Sequence, residues 1–275
     1  MSRELGTKLT GRHITKELYP FSFKEFCDYT AMDQNVETTK KYLQIGGFPQ
    51  YVETRTPEIL NTLINDLLYR DISVRFNIRN DQPLKNLLMF CVGNIGNLIS
   101  ANKLAPVIGV KSVATVQEYL GYLEDTYLIN MVSKFSWSYK KQLVNLRKIY
   151  FIDNGLHRVV SPSANQDLGR KFENMVYWEL RRQHKELFYF NENNHECDFV
   201  LCENNQPQMS IQVCYDLNTG NSKREIEGLL EALRFFDLPK GYLITLNQTD
   251  KIITEDKTII VLPFYQMNRK LLAVK

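Results

Sequence analysis

The residues best suited to chemistry lie near two short apolar segments in the last third of the chain. Asp198 opens the apolar run at residues 199–201, and Gln212 and Cys214 alternate with apolar residues. Because side chains two apart on a strand share a face, Gln212 and Cys214 point the same way. Glu173 lies beside apolar residues of a predicted covering helix. A helix carboxylate, a strand Asp and a Glu or Gln on the next strand can converge on one divalent cation, so the pattern indicates a candidate metal site.

Each of these residues also has a simpler interpretation. Glu179 lies as close to the apolar stripe of the same helix as Glu173 does, so spacing alone does not choose between them. Asp198 hydrogen-bonded to a loop would satisfy its burial equally well. The five cysteines include no CxxC pair, which favours buried apolar side chains over zinc ligands or a disulfide framework.

Composition and motifs exclude several functions. No GxxxxGK[ST] loop occurs, and Gly46-Gly47 lacks the lysine of a phosphate-binding loop, so we expect no ATP site in this chain. The apolar runs are too short to span a bilayer, and the N-terminus carries charges where a signal peptide is apolar. We therefore expect no membrane partner and a cytoplasmic location.

The middle of the chain has a pattern typical of a winged helix. Helices are predicted over residues 84–98 and 101–108, and a third begins after a turn, which is the helix-turn-helix order. Two β-rich stretches follow, at 129–137 and 148–153, with a basic segment between them. Residues 81–160 hold nine Lys and Arg against five Asp and Glu, an excess that favours duplex DNA. The predicted DNA contacts are Lys111, Ser112, Thr115, Lys140 and Lys141.

The same domain has a second interpretation, because winged helices also serve as protein docking modules. The third helix carries acidic residues further along, although its first turn is free of them. The first turn is the part that normally enters the DNA groove. Duplex DNA and a protein partner are therefore both candidate ligands.

The pattern divides the chain into four segments. Residues 1–30 resemble a piece of a larger domain, and residues 31–82 form a helical linker or lid-like segment with apolar residues at helical spacing. Residues 83–161 hold the winged helix. Residues 162–275 follow the order helix, three strands, helix, two strands, which indicates an α/β sandwich around a mixed sheet. The whole chain is thus predicted to have a mixed α/β (α+β) fold.

Three motifs, in order and spacing, resemble a known family. They are GRKFEN at 169–174, ECDFV at 196–200 and IQVC at 211–214. Together they are similar to the uncharacterised C-terminal domain of archaeal and bacterial AAA-type ATPase-like proteins, a domain related to the PD-(D/E)XK nucleases. Residues 3–26 resemble the end of the ATPase domain of that ATP-binding family, and KIYFIDNGL at 148–156 resembles the junction after its winged helix. The resemblance implies a C-terminal region without the ATPase core, ending in a restriction-endonuclease-like domain.

The resemblance also implies roles for single residues. It makes Glu173, Asp198 and Gln212 the ligands of a magnesium ion. Active nucleases carry lysine at the position of Cys214, where the ammonium stabilises transition-state charge. A neutral thiol supplies no such charge, and Gln212 offers a hard cation one carbonyl oxygen in place of a carboxylate. Both departures indicate a degenerate catalytic site.

Two functions remain open. The first is a DNA-binding and interaction module of an AAA-type ATPase-like protein, with a nuclease-like domain that does not cleave. The second is an Mg²⁺-dependent DNA endonuclease that uses Glu173, Asp198 and Gln212, with Lys223 or Arg224 in place of the missing lysine. We favour the first, because the missing lysine removes a chemical role that folding and binding do not require.

Overall fold

The computed structural model describes residues 16–160, 167–254 and 256–272. Its N-terminal part is helical, as predicted for residues 36–79. The helices are α1 (Phe23–Thr30), α2 (Val36–Ile45), α3 (Pro49–Thr54), α4 (Pro57–Asp66) and a π-helical stretch (Leu67–Val74). Ser22 begins α1 through a capping box with Glu25, and prolines begin α3 and α4. The predicted helical region is therefore a set of short helices.

The middle unit combines helices with a small antiparallel sheet. Its elements are α5 (Gln82–Gly93), β1 (Leu98–Ile99), α6 (Ala101–Ile108), α7 (Val113–Asp125), β2 (Ile129–Ser133), α8 (Tyr139–Val144) and β3 (Arg147–Phe151). β3 lies between β1 and β2. Gly109 ends α6 in the left-handed conformation that favours glycine, with φ 83°. The prediction missed β1 and α8 and extended α5 to residue 98.

The C-terminal unit is built on one mixed sheet. Its elements are α9 (Asn154–Val160), α10 (Leu168–Arg181), β4 (Glu186–Glu192), β5 (His195–Glu203), β6 (Gln206–Val213), α11 (Ser222–Phe235), β7 (Lys240–Thr245), β8 (Asp250–Thr254), β9 (Lys257–Pro263), α12 (Phe264–Met267) and a π-helical stretch (Asn268–Leu272). The strand order is β4-β5-β6-β7-β9-β8. β6, β7 and β9 run parallel, and the other neighbours are antiparallel. The predicted mixed α/β class is confirmed.

Two helices cover opposite faces of this sheet. Successive residues of β5 point to opposite faces, and Phe199 and Val200 accordingly belong to different apolar clusters. Phe172 of α10 lies in the cluster of Phe199, whereas Leu229 and Leu233 of α11 lie in that of Val200. Burial of each such side chain contributes about 1.5–3 kcal/mol. The covering helices are therefore held firmly enough to position polar side chains at the end of the sheet.

The described part of the predicted segment 1–30 packs on the C-terminal unit. The Phe23 amide donates to Glu179 Oε1 at 2.7 Å, and Asn268 donates to Glu179 Oε2 at 3.0 Å. The Phe23 ring also meets Phe264 edge-on, with centroids 5.2 Å apart. Glu179, which spacing alone left as an alternative to Glu173, thus binds the start of α1. The predicted ATPase-like residues 3–15 lie outside the described residues.

Asp153 joins the helical segment to the start of α9. Its carboxylate accepts the amides of Gly47 at 2.6 Å, Gly155 at 2.7 Å and Leu156 at 3.2 Å. Burial raises the pKa of Asp153 to about 6, and these donors lower it in part. The Gly46-Gly47 turn, which lacks the lysine of a phosphate-binding loop, therefore binds a carboxylate of its own chain.

This junction leaves no space for a methyl group at Gly155. A Cβ there would lie 2.1 Å from the Ile45 carbonyl oxygen. We expect Gly155→Ala to lower the free energy of unfolding by more than about 3 kcal/mol, because a backbone atom must move. Urea denaturation measures this loss.

The matched control is Gly121→Ala, within α7, where a Cβ meets nothing within 4 Å. It should stabilise the chain by about 0.5–1 kcal/mol through helix propensity. Equal effects of the two substitutions would contradict the described junction.

Candidate functional site

A cleft of about 1030 Å³ lies between the middle unit and the C-terminal unit. The turn after α5 and strand β3 line one side of it, and α10, β5, β6 and α11 line the other. Seven acidic side chains line the cleft against four lysines and arginines. The three predicted ligands, Glu173, Asp198 and Gln212, lie there together with Cys214.

Strand β3 is fixed on α10 by two specific contacts. Asn174 pairs with both backbone groups of Phe151, accepting its amide at 2.9 Å and donating to its carbonyl at 2.8 Å. The ring of Tyr150 stacks on Tyr177, with centroids 4.1 Å apart and planes 10° apart. Residues two apart on a strand share a face, so Lys148 points the same way as Tyr150. The register of β3 therefore sets the position of Lys148.

The Lys148 ammonium lies at the centre of the acidic cluster. Its Nζ is 3.0 Å from Asp198 Oδ1 and 3.5 Å from Glu173 Oε1, and it also forms an ion pair with Glu196. The Lys148 side chain is 2% exposed. A buried charge is very costly alone, so these carboxylates are what make its burial tolerable. The middle unit thus contributes the central cation of a site whose carboxylates belong to the C-terminal unit.

Burial and charge act in opposite directions on this cluster. Burial would lower the pKa of Lys148, but the three carboxylates raise it well above its usual value. Burial raises the pKa of Asp198 to about 7, and the ammonium lowers it in part. Lys148 is therefore permanently charged, whereas Asp198 can take up a proton near neutral pH.

Glu173 has two further neighbours from the middle unit. Its Oε1 accepts the Tyr150 hydroxyl at 2.7 Å. A Cβ on Gly96, which has φ +75°, would lie 2.8 Å from Glu173 Oε2. The turn after α5 can approach the Glu173 carboxylate closely because residue 96 is glycine, which has no side chain.

Gln212 uses both ends of its amide within the protein. Its Oε1 accepts the Asp198 amide at 3.2 Å, and its Nε2 donates to Glu225 Oε2 at 2.6 Å. The other Asp198 oxygen, Oδ2, accepts the Val213 amide at 3.0 Å. Gln212 therefore lies beside Asp198, as predicted, but its carbonyl oxygen points to the backbone.

Cys214 follows Gln212 by two residues at the end of β6, and its side chain lies on the same face of the sheet. Its Sγ donates to the Asp216 carbonyl at 3.3 Å and accepts from Asn221 at 3.5 Å. Burial raises the pKa of the Cys214 thiol to about 11, so the thiol is neutral. The side chain supplies no charge to the cluster, as expected for this position.

Lys223 and Arg224, the candidates to replace the missing lysine, line the cleft but pair with other carboxylates. Lys223 is 86% exposed and lies 3.9 Å from Glu227, and Arg224 pairs with Glu225. The cation next to Asp198 is Lys148 instead. Sequence reasoning also missed Glu196. This residue precedes Asp198 by two positions on β5, so strand alternation places both side chains on the same face.

The present arrangement does not fit a magnesium ion. Asp198 already accepts two hydrogen bonds, and the Gln212 oxygen is held by a backbone amide. Over residues 16–160, 167–254 and 256–272, no group of three or more His, Cys, Asp or Glu side chains is arranged to hold a metal. The Mg²⁺ site predicted on Glu173, Asp198 and Gln212 stays a prediction.

The predicted DNA contacts lie on the middle unit. Lys111 and Ser112 are exposed just before α7, and Thr115 is half-buried in its first turn. The Ser112 side chain makes no cap hydrogen bond, so its hydroxyl is available to a ligand. Lys140 and Lys141 are exposed on α8. All five therefore belong to two surface segments of one unit.

Comparisons with known proteins cover both parts of the chain. Residues 36–167 match a family described as Domain of unknown function (DUF8612), and residues 168–267 match Domain of unknown function (DUF4143). No solved structure matches the chain significantly. In the part of the chain that the structure describes, no helix is long and apolar enough to cross a membrane.

Two curated relatives are longer than this chain. An uncharacterized protein of Methanocaldococcus jannaschii is 32% identical over 97% of this chain and 66% of its own length. An uncharacterized protein of Haemophilus influenzae is 27% identical over 79% of this chain and 57% of its own length. The chain spans about two thirds or less of the length of these relatives. It is thus similar, along nearly its whole length, to an archaeal protein, and it carries regions that match two families of unknown function.

Proposed function

We propose that this chain is the DNA-binding and interaction part of an AAA-type ATPase-like protein, with a nuclease-like domain that does not cleave. Domains of the family matched by residues 168–267 are commonly found with AAA ATPase-like proteins. The greater length of both relatives leaves room for such a domain in a whole protein. These comparisons support the ATPase-like context, and the DNA-binding part rests on the chain's own residues.

The position of Lys148 is the observation that carries the non-cleaving part of the proposal. Its ammonium lies between Glu173, Glu196 and Asp198, where a nuclease would hold a divalent cation. A lysine ammonium neutralises the carboxylates but cannot act as a Lewis acid or generate a metal-bound hydroxide. The cleft is also acidic on balance, which disfavours entry of DNA phosphates. DNA contact therefore belongs on another surface.

The middle unit is the better DNA-binding surface. Its order of helix, strand, helix, helix, strand, short helix, strand, with β3 between β1 and β2, supports the winged-helix assignment. The start of α7 presents Lys111 and Ser112, as the N-terminus of a recognition helix does. We propose that α7 contacts the duplex and that Lys140 and Lys141 contact its phosphates.

A second candidate, the DNA endonuclease, gains one specific observation. The lysine missing at position 214 disfavours cleavage, but Lys148 Nζ lies 3.0 Å from the Asp198 carboxylate. Cleavage would then use a lysine from the neighbouring unit. Plasmid cleavage, described in the Discussion, separates the two candidates.

We expect the chain to bind duplex DNA with strong salt dependence. The triple variant Lys111→Glu, Lys140→Glu, Lys141→Glu should bind more weakly. Its plot of log affinity against log salt should be shallower by about 3, since each phosphate contact contributes about 0.9 to the slope. Fluorescence anisotropy with a labelled duplex, titrated at several salt concentrations, measures both quantities.

A matched triple variant reverses the same amount of charge elsewhere. Lys41, Lys185 and Lys251 are exposed and lie outside the middle unit. Their replacement by glutamate should leave the salt slope close to that of the unmodified chain. If the unmodified chain binds no duplex at low salt, the DNA-binding proposal fails and the docking-module interpretation takes its place.

A further inference from the structure

The connection between β2 and β3, residues 134–146, exposes apolar side chains that its own domain does not cover. Trp137 is 61% exposed and Tyr139 is 73% exposed. Leu143, Val144 and Leu146 are also exposed. Large apolar side chains clustered on one surface mark a binding site more often than a free surface. We call residues 134–146 the basic connection, because the segment contains three lysines and no acidic residue.

Charge indicates the chemistry of the partner. Lys140 and Lys141 are exposed, and no carboxylate among the described residues forms an ion pair with either of them. The third lysine, Lys134, pairs with Glu192 at the base of the connection. Two unpaired ammonium groups beside two exposed aromatic rings are complementary to an anionic partner that also has flat apolar faces. A nucleic-acid strand has both.

The arrangement of these residues argues against a lipid surface. At about 100° per helical residue, Lys140 falls between Leu143 and Val144 around α8, and Val144 falls between Lys140 and Lys141. A membrane-surface helix instead separates its charged face from its apolar face and is far longer than the six residues of α8. Lysines interleaved with apolar side chains, next to two exposed rings, fit a strand in which phosphates alternate with bases.

The base of the connection is held rigidly. The Phe135 amide donates to the Tyr189 carbonyl at 2.8 Å, and the Tyr189 hydroxyl donates to the Leu146 carbonyl at 2.7 Å. The Phe135 ring meets the Trp137 ring edge-on, with centroids 5.0 Å apart. Both ends of the connection are thus tied to β4, and the indole contacts the buried Phe135 ring. A ring held in place loses little freedom when a base stacks on it.

We propose that the basic connection is a stacking platform for single-stranded DNA, in which bases stack on Trp137 and Tyr139 and phosphates lie along Lys140 and Lys141. The paired bases of an intact duplex keep their faces stacked on one another, so this surface favours unpaired strands. The inference rests on the proposed DNA-binding function and deepens it, since it names a second form of DNA that lies beside the α7 surface and shares Lys140 and Lys141 with the duplex. A protein with both surfaces would bind where duplex and single strand meet.

Intrinsic fluorescence tests the platform directly. Trp137 and Trp178 are the two tryptophans of the sequence, and Trp178 is 6% exposed and donates its indole N–H to the Phe151 carbonyl. Titration with an oligothymidine should quench the Trp137 emission. Trp137→Phe should abolish most of the quenching while keeping the affinity within a fewfold, because phenylalanine still stacks.

Affinity for the same oligothymidine provides the second readout. Trp137→Ala should weaken it about 5- to 150-fold, the equivalent of 1–3 kcal/mol for a lost stacking contact. Duplex affinity should change less than twofold. Tyr69→Ala is the matched control, because Tyr69 is exposed to a similar extent, at 66%, on the π-helical stretch. This substitution should have no effect on the affinity.

The outcomes separate this inference from the proposed function. Duplex binding without binding of oligothymidine overturns the platform and leaves the proposed function standing. Loss of both overturns both. Oligothymidine binding that leaves Trp137 unquenched and is unaffected by Trp137→Ala also overturns the platform. Quenching by vesicles of anionic phospholipid, without quenching by DNA, would assign the surface to a membrane instead.

Discussion

Replacing Lys148 by methionine is expected to lower the free energy of unfolding by about 3–5 kcal/mol, the cost of removing one partner of a buried ion pair. Methionine keeps most of the side-chain volume, so the loss reports charge more than packing. Three carboxylates would remain around the empty position, two of them mostly buried. Urea denaturation followed by circular dichroism measures the change.

The loss should grow with pH. Asp198 has a folded-state pKa raised to about 7, so its ionisation costs stability as pH rises from its unfolded value toward 7. Without the Lys148 ammonium, ionisation of Asp198 costs more stability, because no positive charge remains beside the carboxylate. The Lys148→Met penalty should therefore be smaller at pH 5 than at pH 8.

Two comparisons keep this prediction specific. Lys140→Met removes an exposed lysine from the same unit and should leave stability unchanged. Adding Asp198→Asn to Lys148→Met should recover part of the lost stability, because it removes one unpaired charge. An additive double variant would show that Lys148 and Asp198 do not interact.

Replacing Gln212 by glutamate is expected to destabilise the protein by about 2–4 kcal/mol, although nuclease chemistry would favour a carboxylate at this position. The Gln212 amide donates to Glu225 at 2.6 Å, and both side chains are buried. A glutamate would replace that hydrogen bond by repulsion between two carboxylates. The loss should decrease at low pH, where protonation of the introduced glutamate removes the repulsion.

The matched control is Gln208→Glu on the same strand. Gln208 is exposed, so its new charge stays in water and stability should change little. Thermal and urea unfolding of both variants across pH 5 to 8 measure the difference. A stable Gln212→Glu variant would mean that Glu225 can move away from the cleft.

Local patterns in the sequence predicted most of the strands and helices. Helix α6 was predicted with its observed bounds, because Gly109 marks its end and leucine and isoleucine supply the periodicity. Strand β8 was missed because its exposed charges at Asp250 and Lys251 hide the alternation at the sheet edge. Helix α8 was missed because a run of lysines and apolar residues has no clear period over six residues.

The candidate site was predicted only in part, because its central residue comes from another unit. Glu173, Asp198 and Gln212 lie in the three motifs that resemble the nuclease-related domain, and the structure brings them to one cleft. Lys148 precedes Asp198 by fifty residues, and sequence spacing does not give contacts over that separation. The sequence did contain one indication of this contact. Lys148 and Asp198 each place a charge beside an apolar strand segment, and a buried charge needs a partner of opposite sign.

Incubation of supercoiled plasmid with the unmodified chain, in the presence of Mg²⁺ or Mn²⁺, tests whether the nuclease-like domain cleaves DNA. Because the Lys148 ammonium occupies the centre of the carboxylate cluster, we predict no nicking above a protein-free control, under conditions in which the chain binds the plasmid. Robust metal-dependent nicking that Asp198→Ala abolishes would contradict the account and establish the endonuclease.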